Sequence, residues 1–254
     1  MRLTIATFNL RNVTDRYPER RPLLAAAFVA MAPDIAGLQE VSFVPGAAGS
    51  PRQDDLLADA VRSRTYRSLV AESPRYPGFG NAILVGVGEV LASETLALGE
   101  GRVAQRALIV LPGSRSLWFV NTHLHHKPEH PATRERQAAA ICDWMDAAPA
   151  ADATIVVGDF NTPPFEPAYA VMVRRGYRSA FREANGKEPA VTWPSGIQAA
   201  TMDTEGEPNC LDYIWLRGAA RAAAARLGAT EHPPDDPTIF PSDHFAVVAE
   251  VDIG

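Results

Sequence analysis

The chain has 254 residues, 46% hydrophobic and 21% charged, with 30 acidic against 24 basic side chains and a formal net charge of −6. This composition excludes disorder, a collagen-like repeat and a coiled coil as the main state, and the acidity argues against a general nucleic-acid coat. No run of 18 apolar residues is present, and two cysteines, Cys142 and Cys210, make no disulfide framework, so neither a membrane-spanning helix nor a disulfide scaffold is expected. The expected setting is reducing and cytoplasmic.

In chain order, the start reads as a strand, Leu3–Asn9, because it lacks the long apolar centre and small-residue cleavage site of a signal peptide. A helix over Arg20–Met31 follows from the spacing of Leu23, Leu24, Ala27, Phe28 and Met31. Next come a strand at Ile35–Gln39 and a helix at Asp54–Arg62. The stretch Tyr66–Thr122 has no helical pattern and carries strands at Ala82–Gly86, Ala107–Leu111 and Leu117–Thr122. Pro131–Ala147 opens with proline and sets Ala138, Ile141, Cys142 and Met145 along one face, which predicts a helix. A strand at Thr154–Gly158 and a helix at Phe165–Gly176, ended by glycine, follow. Leu211–Leu216 and Phe245–Val251 are strands, and the alanine-rich Gly218–Ala229 belongs to a strand or short helix. Most strands are unbroken apolar runs, as in strands covered on both faces. The expected fold is α/β, two packed sheets with helices outside, in one domain spanning residues 1–254.

Polar groups of one kind recur at strand ends. Asn9, Gln39-Glu40, Asn121-Thr122-His123 and Gly158-Asp159-Phe160-Asn161 close strands, whereas Leu211-Asp212 and Ser242-Asp243-His244 open them. Strand ends are where α/β proteins gather their sites. Amide and carboxylate oxygens suit a hard cation, and imidazoles suit proton transfer. Each piece alone has an ordinary reading: Asn9 as a turn residue, Gly158–Asn161 as a turn, Ser242-Asp243 as a helix cap. For His125 and His126 an exposed loop is the preferred reading. Their joint occurrence, in order, favours a site.

Thr7-Phe8-Asn9, Leu38-Gln39-Glu40, Gly80-Asn81-Ala82-Ile83-Leu84, Asn121-Thr122-His123-Leu124, Gly158-Asp159-Phe160-Asn161, Leu211-Asp212-Tyr213-Ile214 and Ser242-Asp243-His244 together resemble the motifs of the endonuclease/exonuclease/phosphatase (deoxyribonuclease I-like) superfamily. The resemblance implies a four-layer α/β/β/α sandwich, two mixed β-sheets packed face to face with outer helices, and metal-dependent cleavage of a phosphate ester. It further implies that Asn9, Glu40 and Asp243 hold Mg²⁺, with Mn²⁺ able to substitute. Asp212 and His244 are implied as the carboxylate–imidazole pair, His123 as a second imidazole, and Asp159 with Asn161 as the pair orienting nucleophile and phosphate. Asn161 and Arg106 are the implied substrate contacts. Glu72 is the candidate to orient His123.

On this reading His244, oriented by Asp212, is the base for water attack at phosphorus, with Asp159 the other candidate for activating the water. The expected substrate is a small or single-stranded phosphate ester. The alternatives are a Mg²⁺-dependent DNA or RNA nuclease and a catalytically silent binding module. The loops Val44–Arg52, Pro74–Gly80, Lys127–Thr133 and Ala190–Asn209 surround the expected site, and Trp193 reads equally as pocket wall or core. Arg174, Arg175, Arg178 and Arg182 read as a solvated helix face.

Overall fold

Along Arg2–Asn9, Leu3 and Ile5 enter one apolar cluster while Ala6 and Phe8 enter another, because successive side chains leave a strand on opposite faces. The computed structural model describes residues 1–44, 49, 51–200 and 206–254. Positions 45–48 and 50 of the Val44–Arg52 loop, and 201–205 of the Ala190–Asn209 loop, lie outside the described residues. The strands are β1 (Arg2–Asn9), β2 (Ile35–Ser42), β3 (Arg67–Glu72), β4 (Phe79–Val85), β5 (Glu89–Gly99), β6 (Arg102–Leu111), β7 (Arg115–His123), β8 (Ala153–Asp159), β9 (Arg178–Ser179), β10 (Asp212–Gly218), β11 (Ala220–Gly228) and β12 (Ala246–Ile253). The helices are α1 (Tyr17–Met31), α2 (Gln53–Ala60), α3 (Pro131–Asp146), α4 (Pro167–Arg174) and α5 (Ala180–Asn185). Among the described residues, no helix is long and apolar enough to cross a membrane.

Two six-stranded sheets form, ordered β11-β12-β1-β2-β4-β3 and β5-β6-β7-β8-β10-β9. Each is mixed: β1 runs parallel to β2 and β7 parallel to β8, while the other ladders are antiparallel. Their facing sides share a core that includes Ile5, Ile35, Ile83, Phe119, Ile155 and Ile214. Leu24 and Phe28 of α1 and Leu57 of α2 cover the outer face of the first sheet. Ile141 and Met145 of α3 and Met172 of α4 cover that of the second. The four-layer α/β/β/α sandwich expected from the resemblance is the observed fold.

The differences from the sequence reading are local. Strand β6 begins at Arg102, five residues before the expected Ala107. β3 and β5 appear within the helix-free stretch. β5 is an edge strand whose side chains are exposed or half-buried throughout, so it has no continuous apolar run. The alanine-rich segment is strand β11, paired to β12.

One polar clamp crosses the apolar interior. Asn121 of β7 is fully buried, and its Nδ2 donates to the carbonyls of Leu38 and Ala82, each at 2.9 Å, on the opposite sheet. Its Oδ1 accepts from Gln39 Nε2 at 2.7 Å. The sheets meet this closely because residue 37 is glycine: a Cβ there would lie 2.3 Å from Val157 Cγ2 and 2.8 Å from Asn121 Oδ1. Asn121→Ala leaves those partners unsatisfied and is expected to lower the unfolding free energy by about 3 kcal/mol. Urea unfolding measures this, and a loss under about 1 kcal/mol would contradict the clamp.

Candidate active site

The inward row of β1 runs through Leu3 and Ile5 to Asn9. That of β7 runs through Leu117 and Phe119 to Asn121 and His123, and that of β8 through Ile155 and Val157 to Asp159. The inward row of β10 reaches the same edge in reverse, from Leu216 and Ile214 to Asp212. Register brings the ends together: His123 pairs with Asp159 in the β7–β8 ladder, and Asp212 with Asp159 in the β8–β10 ladder. Glu40 breaks the parity. The β2–β4 register shifts between Leu38 and Val41, and Glu40 takes φ 55°. A bulge of this kind re-aims a side chain. Gly158 is required beside Asp159, because a Cβ there would lie 2.1 Å from the Thr122 carbonyl oxygen.

Asp159 is the hub, 1% exposed. Its Oδ2 accepts from Asn9 Nδ2 at 3.0 Å, and its Oδ1 from the Asn161 backbone N–H at 2.8 Å. His123 Nε2 lies 3.4 Å and His244 Nε2 3.6 Å from Oδ2. His244 Nδ1 is 2.9 Å from Asp212 Oδ2, the expected carboxylate–imidazole pair. Asn9 Nδ2 also reaches Glu40 Oε1 at 3.3 Å, and Asn12 Nδ2 donates to Glu40 Oε2 at 3.0 Å. Asp243 accepts from Trp193 Nε1 at 3.3 Å and lies 3.6 Å from Arg11 Nη1. Asn161 Nδ2 donates to the Leu124 carbonyl.

Burial and charge divide the titrating groups. Burial alone would lower His244, but Asp212, Asp159 and Asp243 outweigh it and push it up to about 10. Burial, with Asp212 in the same sense, pushes Asp159 up to about 7 against the opposing His244 charge. Burial, reinforced by the Arg102 charge, holds His123 well below the usual imidazole value. His123 is therefore neutral at neutral pH. Its Nδ1 is buried and without a partner among the described residues.

These groups line a cleft of about 790 Å³ at the shared edge of the sheets. The cleft also contains Arg11, Arg102, His125 and Trp193, which motif position alone does not assign. Trp193 is a wall of the cleft. His125 departs from the exposed-loop reading: it is 8% exposed, its backbone N–H donates to Gln137 Oε1 of α3, and its Nε2 lies 2.8 Å from His130 Nδ1. His126 stays exposed, with Arg102 Nη2 at 3.1 Å from its Nδ1.

Two expectations are corrected. Arg106 does not reach the cleft: it stacks between Trp118 and Trp144, pairs with Glu94 at 2.7 Å and donates to the Trp144 carbonyl. Arg102, four residues earlier on the same face of β6, occupies the strand end instead. Glu72 pairs with Arg52 and the Gly78 backbone, so it does not orient His123. The Arg174–Arg182 group keeps its solvated reading, with Arg175 on Asp143 and Asp146 and Arg178 on Glu183.

Ligand atoms of Asp159, Asp212 and His244 lie within 4.8 Å of one another, a spacing compatible with a metal. His244 Nδ1 is bonded to Asp212 and its Nε2 faces Asp159, an arrangement that also fits an acid–base cluster. Glu40 and Asp243 place carboxylate oxygens, the ligand type hard cations take, on the cleft wall. Asn9 fits less directly, because its Oδ1 accepts from the Arg11 backbone N–H at 2.9 Å.

Residues 6–244 match the model of the Endonuclease/Exonuclease/phosphatase family, and the chain belongs to that family. It is similar in structure to an endonuclease/exonuclease/phosphatase from Bacteroides vulgatus, with TM-score 0.77, 20% identity and 100% of both chains covered. It also resembles D. rerio TDP2 complexed with a single-strand DNA product, at 0.78 and 18% with 99% of each chain covered. A mannosyl-6-phosphatase from Bacteroides thetaiotaomicron gives 0.76 and 19%, covering 98% of this chain and 99% of that one. None of the curated proteins matches in sequence. Arg106→Met should lower the melting temperature yet leave turnover within about twofold of the parent, since surface chemistry at the cleft is untouched. A large loss of turnover in a folded Arg106→Met protein would restore Arg106 to the site.

Proposed function

We propose that the chain is a divalent-metal-dependent phosphoric ester hydrolase in which water attacks phosphorus. The observation that carries this reading is the buried Asp159 carboxylate, with His123 Nε2 and His244 Nε2 at 3.4 and 3.6 Å from its Oδ2 and Asp212 bonded to the far side of His244. A carboxylate raised to about 7 is matched to accepting a proton from water near neutrality. An imidazole raised to about 10 is already protonated there and suits donation to a non-bridging phosphate oxygen. Asp159 is therefore favoured over His244 as the water-activating base, with Asp212 holding the His244 imidazolium in orientation. Neutral His123 places its Nε2 beside the same carboxylate. Asp159 takes the proton as the new P–O bond forms, and the bond to the leaving oxygen breaks.

Glu40 and Asp243 are the proposed holders of Mg²⁺ or Mn²⁺, with Asn9 orienting the carboxylates. The bound cation would offset phosphoryl charge and polarise the ester. This suits an acidic site, where Glu40, Asp159, Asp212 and Asp243 converge against a substrate that is itself an anion. Arg11 and Arg102 supply the guanidinium charge on the cleft wall. The proposed substrate class is a small or single-stranded phosphate ester, in line with a cleft of about 790 Å³.

The direct test is hydrolysis of a chromogenic phosphodiester, monoesters, RNA and intact or abasic DNA, each with Mg²⁺, Mn²⁺ and EDTA. Turnover that EDTA abolishes is expected. Binding without turnover on every ester would favour the silent module, and affinity for DNA or RNA falling steeply with salt would favour the nuclease. His244→Ala, Asp159→Asn and Asp212→Asn should each reduce kcat about a hundredfold or more in folded protein. Wild-type kcat in Asp159→Asn would remove it as the base. Glu40→Ala should raise the Mg²⁺ concentration for half-maximal activity by at least about tenfold, and an unchanged Mg²⁺ response would remove Glu40 from the cation site.

A further inference from the structure

Arg20 stands outside the cleft, on the first turns of α1, yet it is fully buried. Its guanidinium is directed at carbonyl oxygens. Nε donates to the Asp15 carbonyl at 2.7 Å, Nη1 to those of Leu10 at 3.1 Å and Pro241 at 2.8 Å, and Nη2 to those of Arg11, Asn12 and Thr14 at 3.0, 3.2 and 2.8 Å. Five of the six acceptors belong to the segment that follows Asn9 and carries Arg11 and Asn12 into the site. The sixth immediately precedes Ser242-Asp243-His244. A second bond joins the same two segments, from Ser242 Oγ to the Asn9 carbonyl at 2.7 Å, and the His244 backbone N–H donates back to Ser242 Oγ.

We infer that Arg20 is a positioning residue, which fastens the Leu10–Asp15 segment to the Pro241–His244 segment and thereby sets the distance of His244 from Asp159 and Asp212. This rests on the proposed hydrolase reading. The geometry calls for arginine. A planar fork with five N–H groups can satisfy carbonyls arriving from several directions in one plane, whereas a lysine ammonium offers three donors from a point. Burying a cation this deeply is costly, and the six hydrogen bonds above all go to backbone carbonyls. Its counter-charges, Asp15 and Asp243, act through space, and Asp243 is itself on the segment being held. The segment it secures is strained. Arg11, Asn12, Asp15 and Arg16 all take left-handed φ, between 34° and 61°, a conformation that non-glycine residues keep only where the surroundings fix it.

The test uses the full chain. Arg20→Lys keeps the charge and most of the volume. Ser242→Ala removes only the second fastening, and Phe28→Leu perturbs the packing of the same helix while leaving both hydrogen-bonded fastenings in place. Melting temperature, kcat and KM for the most active ester, and the downfield proton resonance of His244 Nδ1–H are measured for each. Expected for Arg20→Lys is a fall in kcat of about tenfold to a hundredfold below its melting temperature, with a shifted or broadened His244 resonance. Ser242→Ala should move both readouts the same way by less, and Phe28→Leu should move neither. In Arg20→Ala, millimolar guanidinium but not ammonium should recover part of the lost kcat. The inference is overturned if Arg20→Lys keeps wild-type kcat, or if kcat falls while the His244 resonance stays in place. It also fails if Phe28→Leu of equal melting temperature loses as much. Should Arg20→Ala not fold, Arg20→Lys and Ser242→Ala still decide it. If the wild-type chain hydrolyses no ester, the hydrolase reading fails, and the His244 resonance alone still judges Arg20.

Discussion

A carboxylate that is almost fully buried at the end of an apolar sandwich must be surrounded by donors or forced to protonate. Asp159 meets that demand by drawing on the whole chain. Asn9 comes from β1, Asn161 from the turn after β8, His123 from β7 and His244 from the segment before β12. These are the first, middle and last parts of the sequence. Their meeting depends on the two sheets being packed at one fixed separation. That separation is set where Gly37 removes a side chain and Asn121 bonds across the gap. The clamp lies next to the site on the same strand, with Asn121 two residues before His123. The boundary between apolar interior and polar edge is thus built into one strand.

Strand parity made much of this visible in the sequence. A residue at the end of an apolar run, on the row that faces the other sheet, has only the edge of the sandwich to occupy. That places Asn9, His123, Asp159 and Asp212 from pattern alone, and the motifs add His244. Glu40 escapes the rule. By alternation from Gln39 it should face the outer helices, and only the left-handed bulge turns it into the cleft. The arginine was misjudged for a related reason. Arg106 is a substrate contact only by resemblance, and Ala104-Gln105-Arg106 interrupts the apolar run of β6, so the pattern starts the strand at Ala107. The ladder to β7 continues to Ala104 and the strand to Arg102, which leaves Arg106 over the outer face between two tryptophans. His125 is hidden because its burial comes through Gln137 of α3: the pattern shows the helix from Pro131 but not that it folds back over residue 125.

Of the four carboxylates at the site, Glu40, Asp159 and Asp243 line the cleft and Asp212 does not. Asp212 lies behind His244 and is neutralised by it. Asp243 faces Trp193 Nε1 and the Arg11 guanidinium. Glu40 is shared between two amides, those of Asn9 and Asn12. Amides lower the energy of a carboxylate without cancelling its charge, and the Arg11 and Arg102 guanidinium groups act on Glu40 through space. Asp159 differs again: burial and the neighbouring Asp212 raise it rather than stabilise its charge. The same residue type thus meets three different surroundings: amides at Glu40, a buried edge beside a second carboxylate at Asp159, and an imidazole at Asp212.

The strained segment after Asn9 follows from the same geometry. An extended or right-handed path would point successive carbonyls in alternating directions or along a helix axis. Left-handed residues at Arg11, Asn12, Asp15 and Arg16 fold the chain so that carbonyls from Leu10 to Asp15 converge on one point. Convergence of five backbone dipoles is repulsive unless a cation stands at the focus, and the Arg20 guanidinium occupies it. The local strain and the buried charge are therefore two halves of one arrangement, each unfavourable without the other. Because the Pro241 carbonyl is the sixth acceptor, the arrangement extends past the segment to the residues that carry Asp243 and His244. Helix α1, which touches no part of the cleft chemistry, is in this way the element against which both ends of the chain are aligned.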